Sequence, residues 1–392
     1  MYDFDQTPDR RASNSMKWST AQARLTEAQC AADPLPMWVA DMDFRVAEPI
    51  VDALREAVEF GVYGYGATPT SFVEAVTAWQ HRRFGWEPKP EWLVVTPGVV
   101  FAINMAIHAF TVPGDAVLIQ TPVYIHFHHD VKINGRCLAE APLSFDGERY
   151  RFDPALFEAA IKPNTKLFIL CHPHNPTGNV WTAEELAIMS EICARHGIIV
   201  VSDEVHQDLV WGAGQKHIPF ASISEEAANN VIVCTAPSKT FNIAGLQCSN
   251  IFIPNPRLRA AFRRQCERTG IGSANIMGVV ACEAAYRHCE GWLDALLPYI
   301  KGNQALFAEL VNDARLPIKV IPTDALYLAW IDCRDVDCGD TDIHDLILRK
   351  AKLWLDPGTK FGLGGEGFMR INLACPRDQV REAANRLIRL FD

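Results

Sequence analysis

The chain has 392 residues, of which 49% are hydrophobic, and this is enough to bury one large core and a smaller second one. Its net charge of -10 and its scattered Lys and Arg residues argue against nucleic acid as a partner. The first residues lack the apolar core of a secretion signal and no stretch reaches membrane-span length, so we expect a cytoplasmic protein without a membrane partner. The twelve cysteines show no Cys-x-x-Cys spacing, which indicates buried thiols in a reducing compartment.

Short apolar runs alternate with longer amphipathic segments along the chain, a pattern typical of an α/β fold with a largely parallel sheet. The clearest unit is a strand at 166–171 followed by a helix at about 182–196. Thr182 and Glu185 have capping-box spacing at the start of this helix, and Gly197 follows its end. We expect an N-terminal arm (1–45) that packs on a small C-terminal domain (281–392), with a large domain (46–280) between them.

Five apolar runs each lead, at their carboxyl end, to a residue that can contact a ligand. These pairs are residues 92–96 with Gly98, 116–120 with Tyr124, 167–171 with Asn175, 198–202 with Asp203, and 231–235 with Lys239. Ligands of open α/β sheets bind outside the carboxyl ends of the strands. The sequence therefore predicts that all five residues lie at one edge of the sheet.

This set of groups matches what pyridoxal phosphate needs from a protein. Lys239 would hold the cofactor as a Schiff base and then remove the substrate's α-proton. Asp203 would pair with the pyridine nitrogen and keep it protonated. Asn175 would donate a hydrogen bond to the 3-oxygen, and Tyr124 would lie against the ring.

The phosphate and the substrate carboxylate have their own candidates. Gly98, Val99 and Val100 open a helix predicted over 99–110, whose first backbone amides suit a phosphate, and Ser238 adds a hydroxyl. In residues 369–373, Arg370 and Asn372 alternate with apolar residues and share one strand face. Arg370 would bind an α-carboxylate with two parallel hydrogen bonds, although the spacing also fits a surface ion pair.

Each of these residues also has an ordinary structural explanation. Lys239 fits a solvated loop, Asp203 a turn cap, Asn175 an ordinary turn and Tyr124 the core. The functional interpretation depends on their occurring together and in this order.

Two further patterns resemble binding motifs, and we reject both. Residues 362–367 fit the dinucleotide-binding Gly-x-Gly-x-x-Gly, but residues 368–373 alternate like a strand where a helix is required. His126, His128 and His129 have metal-ligand spacing, but we find no carboxylate or cysteine partner for them in the sequence. We predict surface histidines and no metal site.

The chain resembles fold-type-I pyridoxal-phosphate enzymes of the aspartate aminotransferase superfamily, and within it the cystathionine β-lyase or carbon-sulfur lyase branch. The resemblance runs through nearly the whole length. The motifs that carry it are residues 36–44 (PMWVADMDF), 62–66 (VYGYG), 96–100 (TPGVV), 122–124 (PVY), 173–176 (PHNP), 202–206 (SDEVH) and 238–246 (SKTFNIAGL). It implies a mostly parallel seven-stranded sheet flanked by helices, a smaller α+β C-terminal domain, pyridoxal 5'-phosphate as the cofactor and a homodimer.

The resemblance also implies roles for individual residues. Lys239 is the Schiff-base lysine, Asp203 the partner of the pyridinium, Asn175 the donor to the ring oxygen and Tyr124 the stacking ring. Further cofactor contacts are assigned to Gly98, Val99, Val100, Ser238 and His206, and substrate contacts to Arg370, Trp38 and Tyr65. Tyr65 would reach the phosphate of the neighbouring subunit.

Two departures from the broader superfamily favour elimination over amino-group transfer. His206 stands where many aminotransferases have a tyrosine, and Gln247 stands where they commonly have a phosphate-binding arginine. We therefore predict β-elimination from an L-amino acid with a sulfur leaving group. The alternatives are an aminotransferase on the same scaffold and a pyridoxal-phosphate-binding regulator, whose DNA-binding module the short acidic N-terminal segment does not match.

Overall fold

The structure is a computed structural model that describes residues 2–271, 274–339 and 341–391. The helices of the first half are α1 Met16–Ser19, α2 Ala21–Arg24, α3 Glu27–Ala31, α4 Glu48–Phe60, α5 Thr70–Phe84, α6 Val99–Phe110, α7 Ile125–Ile133, α8 Pro154–Ala159 and α9 Ala183–Arg195. Those of the second half are α10 Glu225–Asn229, α11 Pro237–Thr240, α12 Pro256–Arg268, α13 Ile276–His288, α14 Glu290–Asp313, α15 Ile343–Leu346 and α16 Arg377–Phe391.

The strands form one large sheet, one smaller sheet and two short pairs. They are β1 Leu35–Pro36, β2 Leu93–Thr96, β3 Ala116–Thr121, β4 Cys137–Pro142, β5 Ser144–Phe145, β6 Tyr150–Arg151, β7 Thr165–Cys171, β8 Ile199–Asp203, β9 Val231–Thr235, β10 Ser249–Phe252, β11 Lys319–Ile321, β12 Leu328–Asp332, β13 Leu353–Trp354, β14 Asp356–Pro357 and β15 Phe368–Asn372. The predicted strands agree with these bounds to within about one residue at each end.

The large sheet has seven strands in the order β2, β10, β9, β8, β7, β3, β4. The pairs from β9 through β4 are parallel, while β10 is antiparallel to both of its neighbours. Because β2 and β9 are both antiparallel to β10, they run parallel to each other. Every strand except β10 therefore ends at the same edge, and the predicted α/β fold is confirmed.

The helices cover both faces of this sheet because its strands are apolar on both faces. Strands β3 and β9 are buried at every position. One core lies on the side of α6, and the other includes α5, α9 and α13. The capping box of Thr182 and Glu185 is present at the start of α9, and Gly197 after its end has a left-handed φ of 65°.

The C-terminal region has its own antiparallel sheet of β11, β12, β15 and β14, packed against α14 and α16. The N-terminal segment reaches this region through β1, which pairs in parallel with β13. The predicted boundary near residue 280 falls inside α13, and the division into domains stays a prediction. All twelve cysteines are free and most are buried, and no helix among the described residues is long and apolar enough to cross a membrane.

Candidate active site

The carboxyl edge of the large sheet brings the predicted residues together in the order of the strands. Asp203 ends β8, Asn175 follows β7 and Tyr124 follows β3. Lys239 follows β9 in the short helix α11, and Gly98 follows β2. These segments converge because six of the seven strands point the same way.

Lys239 is held by the backbone of the N-terminal segment. Its Nζ donates to the carbonyl oxygen of Ala40 over 2.7 Å. Burial lowers the pKa of Lys239 to about 8, while the nearby charges of Asp41 and Asp203 oppose this shift and that of Arg370 adds to it. A lysine in this environment supplies a neutral amine close to neutral pH.

Asp203 is a buried carboxyl group facing Lys239. Burial raises its pKa to about 7, and the backbone N–H of Val205 and the charge of Lys239 act in the opposite direction. A protonated ring nitrogen bound beside Asp203 would favour its charged form, since an opposite charge in a buried site does so strongly. This carboxyl group therefore suits a cationic heterocycle.

Asn175 follows β7, the strand beside the β8 of Asp203, and Tyr124 follows β3, the next strand along. The side-chain oxygen of Asn175 accepts a hydrogen bond from Nη1 of Arg370 over 3.0 Å, which leaves the amide nitrogen as the donor to a ligand. Tyr124 precedes α7, and its ring lies 6.0 Å from that of Phe127. Burial, reinforced by the charge of Asp203, raises the pKa of Tyr124, so its hydroxyl stays protonated.

The start of α6 provides an open site for an anion. Val99 is the first residue of this helix, as predicted, and Gly98 caps it in an extended conformation. Nothing lies within 4 Å of the position that a Cβ of Gly98 would take. The first N–H groups of a helix suit a phosphate. Val100 is the second residue of α6, and the half-buried Ser238 lies in α11, which follows β9.

Arg370 is fixed from three directions in a buried position of β15. Its guanidinium donates to Asn175 and to the carbonyl oxygen of Trp38, the latter over 3.1 Å, and forms an ion pair with Asp356. Its Nε has no hydrogen-bond partner among the described residues. An unpartnered N–H on an immobilised guanidinium is a fitting contact for a carboxylate.

The other predicted site residues differ in their surroundings. His206 is buried, and burial together with the charges of Lys239 and Arg370 places its pKa well below the ordinary value. Its Nδ1 has no partner within the described part of the chain. Trp38 is buried and stacks on Trp354 with ring centroids 4.6 Å apart, whereas Tyr65 is fully exposed.

Two residues that contact the N-terminal segment beside Lys239 were not predicted from the sequence. Tyr327 is fully buried, and its hydroxyl donates to the carbonyl oxygen of Ala40 over 2.9 Å, the same acceptor that Lys239 uses. Asn242 donates to the carbonyl oxygens of Met42 and Phe44 and so anchors the N-terminal segment beside the lysine. The only signal for Tyr327 was its place in an apolar run, which indicates core rather than a site.

The two rejected motifs have different outcomes. Residues 362–367 lead into the strand β15 rather than a helix, as predicted. The statement that the histidines lack a carboxylate partner was wrong, because Asp130 lies one helical turn from His126 and adjacent to His129. Its Oδ1 is 3.3 Å and 3.1 Å from their Nδ1 atoms. His128 lies apart from this group and contacts the carbonyl oxygen of Phe361.

Taken as a donor set, these residues fit pyridoxal phosphate. A half-buried amine, a buried carboxyl group, an amide donor and an aromatic ring lie at one sheet edge, with an open helix start beside them. Within the described residues, Arg370 and His206 each have a buried nitrogen without a hydrogen-bond partner, and the charge of Arg370 acts on the His206 ring.

Comparisons with known proteins agree with this description. The chain matches the family described as aminotransferase class I and II over residues 25–387. Cystathionine beta-lyase PatB of Bacillus subtilis (strain 168) is 43% identical over 386 residues, which cover 98% of each chain. The crystal structure of cystalysin from Treponema denticola, which contains a pyridoxal 5'-phosphate cofactor, has a TM-score of 0.92 at 34% identity, over 100% of this chain and 98% of that chain. The pyridoxal-phosphate-bound C-S lyase from Staphylococcus hominis has a TM-score of 0.90 at 31% identity, with the same coverage.

Proposed function

Because this chain belongs to the aminotransferase class I and II family, we propose that it is a carbon-sulfur lyase that acts on sulfur-containing L-amino acids. The reaction is β-elimination, and the products are a thiol, pyruvate and ammonia. The cofactor is pyridoxal 5'-phosphate, which when bound draws electrons away from the substrate's Cα. The observation that carries the proposal is the half-buried amine of Lys239, which lies among the charges of Asp203 and Arg370.

Arg370 fixes the substrate by its α-carboxylate. The contacts of its guanidinium with Asn175, Trp38 and Asp356 prevent it from rotating, so a carboxylate bound to it has one orientation. This places the Cα–H bond at a defined angle to the Nζ atom of Lys239. Orientation of this kind supplies part of the rate enhancement before any bond breaks.

Lys239 moves the proton. Its Nζ removes the α-proton, the bond between Cβ and sulfur breaks, and the sulfur leaves with the electron pair. Lys239 then returns the proton to the departing sulfur, so that a neutral thiol is released. Water hydrolyses the remaining enamine to pyruvate and ammonia.

Product analysis tests this function directly. Purified holoenzyme that is given cystathionine and no keto acid should release pyruvate and ammonia. An absolute requirement for a keto-acid acceptor would contradict elimination and establish an aminotransferase, which uses the same cofactor residues. Replacing cystathionine by L-alanine, which has no leaving group on Cβ, gives the matched control.

We further propose that the enzyme is a cytoplasmic homodimer in which Tyr65 completes the neighbouring site. The segment around Tyr65 exposes an unusual number of large apolar side chains, namely Val58, Phe60, Val62, Tyr63 and Tyr65. A contiguous apolar surface of this kind is typical of a protein interface. The fully exposed Tyr65 can contribute to a site only if a second chain covers it.

Subunit complementation tests this arrangement. Tyr65→Ala and Lys239→Ala homodimers should both be inactive, while a mixed dimer regains one intact site, because Tyr65 and Lys239 then come from different chains. Activity after mixing, unfolding and refolding together should approach about a quarter of the wild-type value if the subunits pair at random. Failure of the mixture to regain activity would place both residues in the same chain's site, and an active monomer on size exclusion would contradict the dimer.

A further inference from the structure

A cluster of three potential metal ligands lies on α7, among residues that the proposed lyase mechanism does not use. His126, His129 and Asp130 have the spacing i, i+3 and i+4 in this helix, which places them on one face. Their ligand atoms all lie within 4.8 Å of one another. Oδ1 of Asp130 is 3.3 Å from Nδ1 of His126 and 3.1 Å from Nδ1 of His129. One carboxylate oxygen therefore faces two imidazole nitrogens.

These separations are close to those between two ligands of one cation. Zn²⁺ binds imidazole nitrogen and carboxylate oxygen at about 2.0 to 2.2 Å, so two of its ligands in a tetrahedral arrangement are about 3.4 Å apart. The two nitrogen-oxygen distances in the cluster need only small changes to reach this value. The two imidazole rings lie 6.0 Å apart between centroids and are inclined at 77° to each other. Rotation of the side chains is therefore sufficient for ligation, and the helix need not move.

The carboxylate of Asp130 is buried and has no lysine or arginine partner. Its side chain is 2% exposed, and among the described residues only His126 and His129 lie within ion-pair distance of it. A buried carboxylate is costly unless a positive charge pairs with it. A divalent cation supplies this charge while both imidazoles bind in their neutral form.

Two asparagines hold Asp130 from the side opposite the histidines. Oδ2 of Asp130 accepts a hydrogen bond from Nδ2 of Asn104 over 2.9 Å. Nδ2 of Asn134 donates to Oδ1 of Asn104 over 2.6 Å and to the carbonyl oxygen of Asp130 over 2.7 Å. Hydrogen bonds to a ligating carboxylate fix its orientation and strengthen metal binding. Here they leave Oδ1 directed at the two histidines.

The donor set and its exposure indicate which cation would bind. Two imidazoles and one carboxylate suit zinc and similar divalent transition metals, whereas Mg²⁺ and Ca²⁺ prefer oxygen ligands alone. The side chains of His126 and His129 are 42% and 58% exposed. A cation can therefore enter from solvent, and water can fill its remaining coordination positions.

We propose that His126, His129 and Asp130 bind one divalent transition-metal cation, with Zn²⁺ as the best match. This departs from the expectation of surface histidines without a metal, because the carboxylate that the sequence analysis did not find lies in the same helix. The site is separate from the proposed elimination chemistry, which needs no metal ligand.

Titration calorimetry of the tag-free holoenzyme with Zn²⁺ tests the inference. The wild type should bind one Zn²⁺ per chain at this site. His126→Gln and His129→Gln should each weaken this binding about tenfold or more, because each removes one of three ligands, and the double substitution should abolish it. His108→Gln, at an exposed histidine of the neighbouring helix α6, is the matched control and should leave the affinity unchanged.

Thermal unfolding gives a second measurement that does not depend on activity. Saturating Zn²⁺ should raise the Tm of the wild type and not that of the double variant, because a ligand that binds the folded chain stabilises it. Equal Zn²⁺ affinity in the wild type and the double variant would place the cation on other groups, such as thiols, and would overturn the site. Absence of binding to the wild type would also overturn it, and would show that the histidines only donate hydrogen bonds to Asp130.

Discussion

The two sides of the proposed active site, one toward the cofactor and one toward the substrate, are assembled in different ways. On the cofactor side, Asn175, Asp203 and Lys239 each lie within a few residues of a strand end. On the substrate side, Arg370 is held by Trp38 and Asn175, which are 332 and 195 residues away in the chain. The first side is built from local strand-loop units, and the second exists only after the N-terminal segment, the large sheet and the C-terminal sheet have met.

Lys239 joins the two sides. It follows a strand of the large sheet, yet its Nζ binds the carbonyl oxygen of Ala40, which belongs to the N-terminal segment. Tyr327, near the C-terminal sheet, uses the same acceptor. Substitutions on the cofactor side should therefore affect the chemical step, and those on the substrate side should affect binding and stability.

The largest effect should come from Lys239→Ala. Elimination should fall by a factor of about 10³ or more, because the group that carries the proton is lost. Pyruvate release, measured with saturating cofactor, gives the rate. Lys216→Ala, an exposed lysine of the same region of the chain, is the control; retention of more than about a tenth of the activity by Lys239→Ala would contradict the assignment.

On the substrate side, Asp356→Asn should raise KM about tenfold, since it frees the guanidinium of Arg370, which is proposed to bind the substrate's α-carboxylate. It should also lower the free energy of unfolding by about 3 kcal/mol, because the buried guanidinium loses its counter-charge. Asp332→Asn, which breaks a more exposed pair with Arg334 in the same sheet, is the control. Equal effects of the two substitutions would show that Asp356 does not orient Arg370.

The contact between the two sides can be tested at Gly178, in the loop that carries Asn175. A Cβ on Gly178 would lie 2.6 Å from Cβ of Thr323, and the residue has a φ of 73°. Gly178→Ala should therefore cost about 2 to 4 kcal/mol of stability, from left-handed strain plus overpacking.

Gly214 has nearly the same φ, 74°, and open space around it. Gly214→Ala should lower the free energy of unfolding by only about 1 kcal/mol, because only the left-handed backbone strain contributes. Chemical denaturation of both variants measures the difference, and an equal loss of stability in the two would show that the approach of Thr323 is not tight.

The smallest effect concerns pH. Because burial lowers the pKa of Lys239 to about 8, the apoenzyme should take up the cofactor faster as pH rises, with a midpoint near 8. Free Nα-acetyl-lysine, with a pKa of about 10.4, gives the reference curve. A midpoint close to that reference would contradict the lowered pKa.

The sign of the stability change follows from the same pKa. Between pH 8 and about 10.4 the unfolded chain binds a proton at Lys239 that the folded apoenzyme does not bind. The apoenzyme should therefore become more stable, with respect to this group, as pH rises through that window. Lys239→Met should remove this contribution, which denaturation at several pH values measures.

The sequence by itself determined five of the seven strands of the large sheet and the residues proposed for the cofactor side of the site. Runs such as residues 231–235 are too apolar to lie anywhere but in a covered strand, and the polar residue after each run must then lie at the carboxyl edge. The strand at 368–372 could likewise be predicted from alternation, together with the shared face of Arg370 and Asn372. These features depend on residues that are close together in the sequence, so the local pattern is sufficient to predict them.

Only the tertiary structure decided the substrate side. No sequence pattern predicts that Asp356 forms ion pairs with both Lys360 and Arg370. Nor does any pattern predict that the carbonyl oxygen of Ala40 accepts hydrogen bonds from both Lys239 and Tyr327. The antiparallel pairing of β10 was missed for the same reason. Asp130 is different, because it lies four residues from His126 and one from His129 in α7, and helical spacing alone could have revealed it. The other contacts depend on how separate segments pack, and a backbone carbonyl oxygen leaves no signature in the identity of its residue.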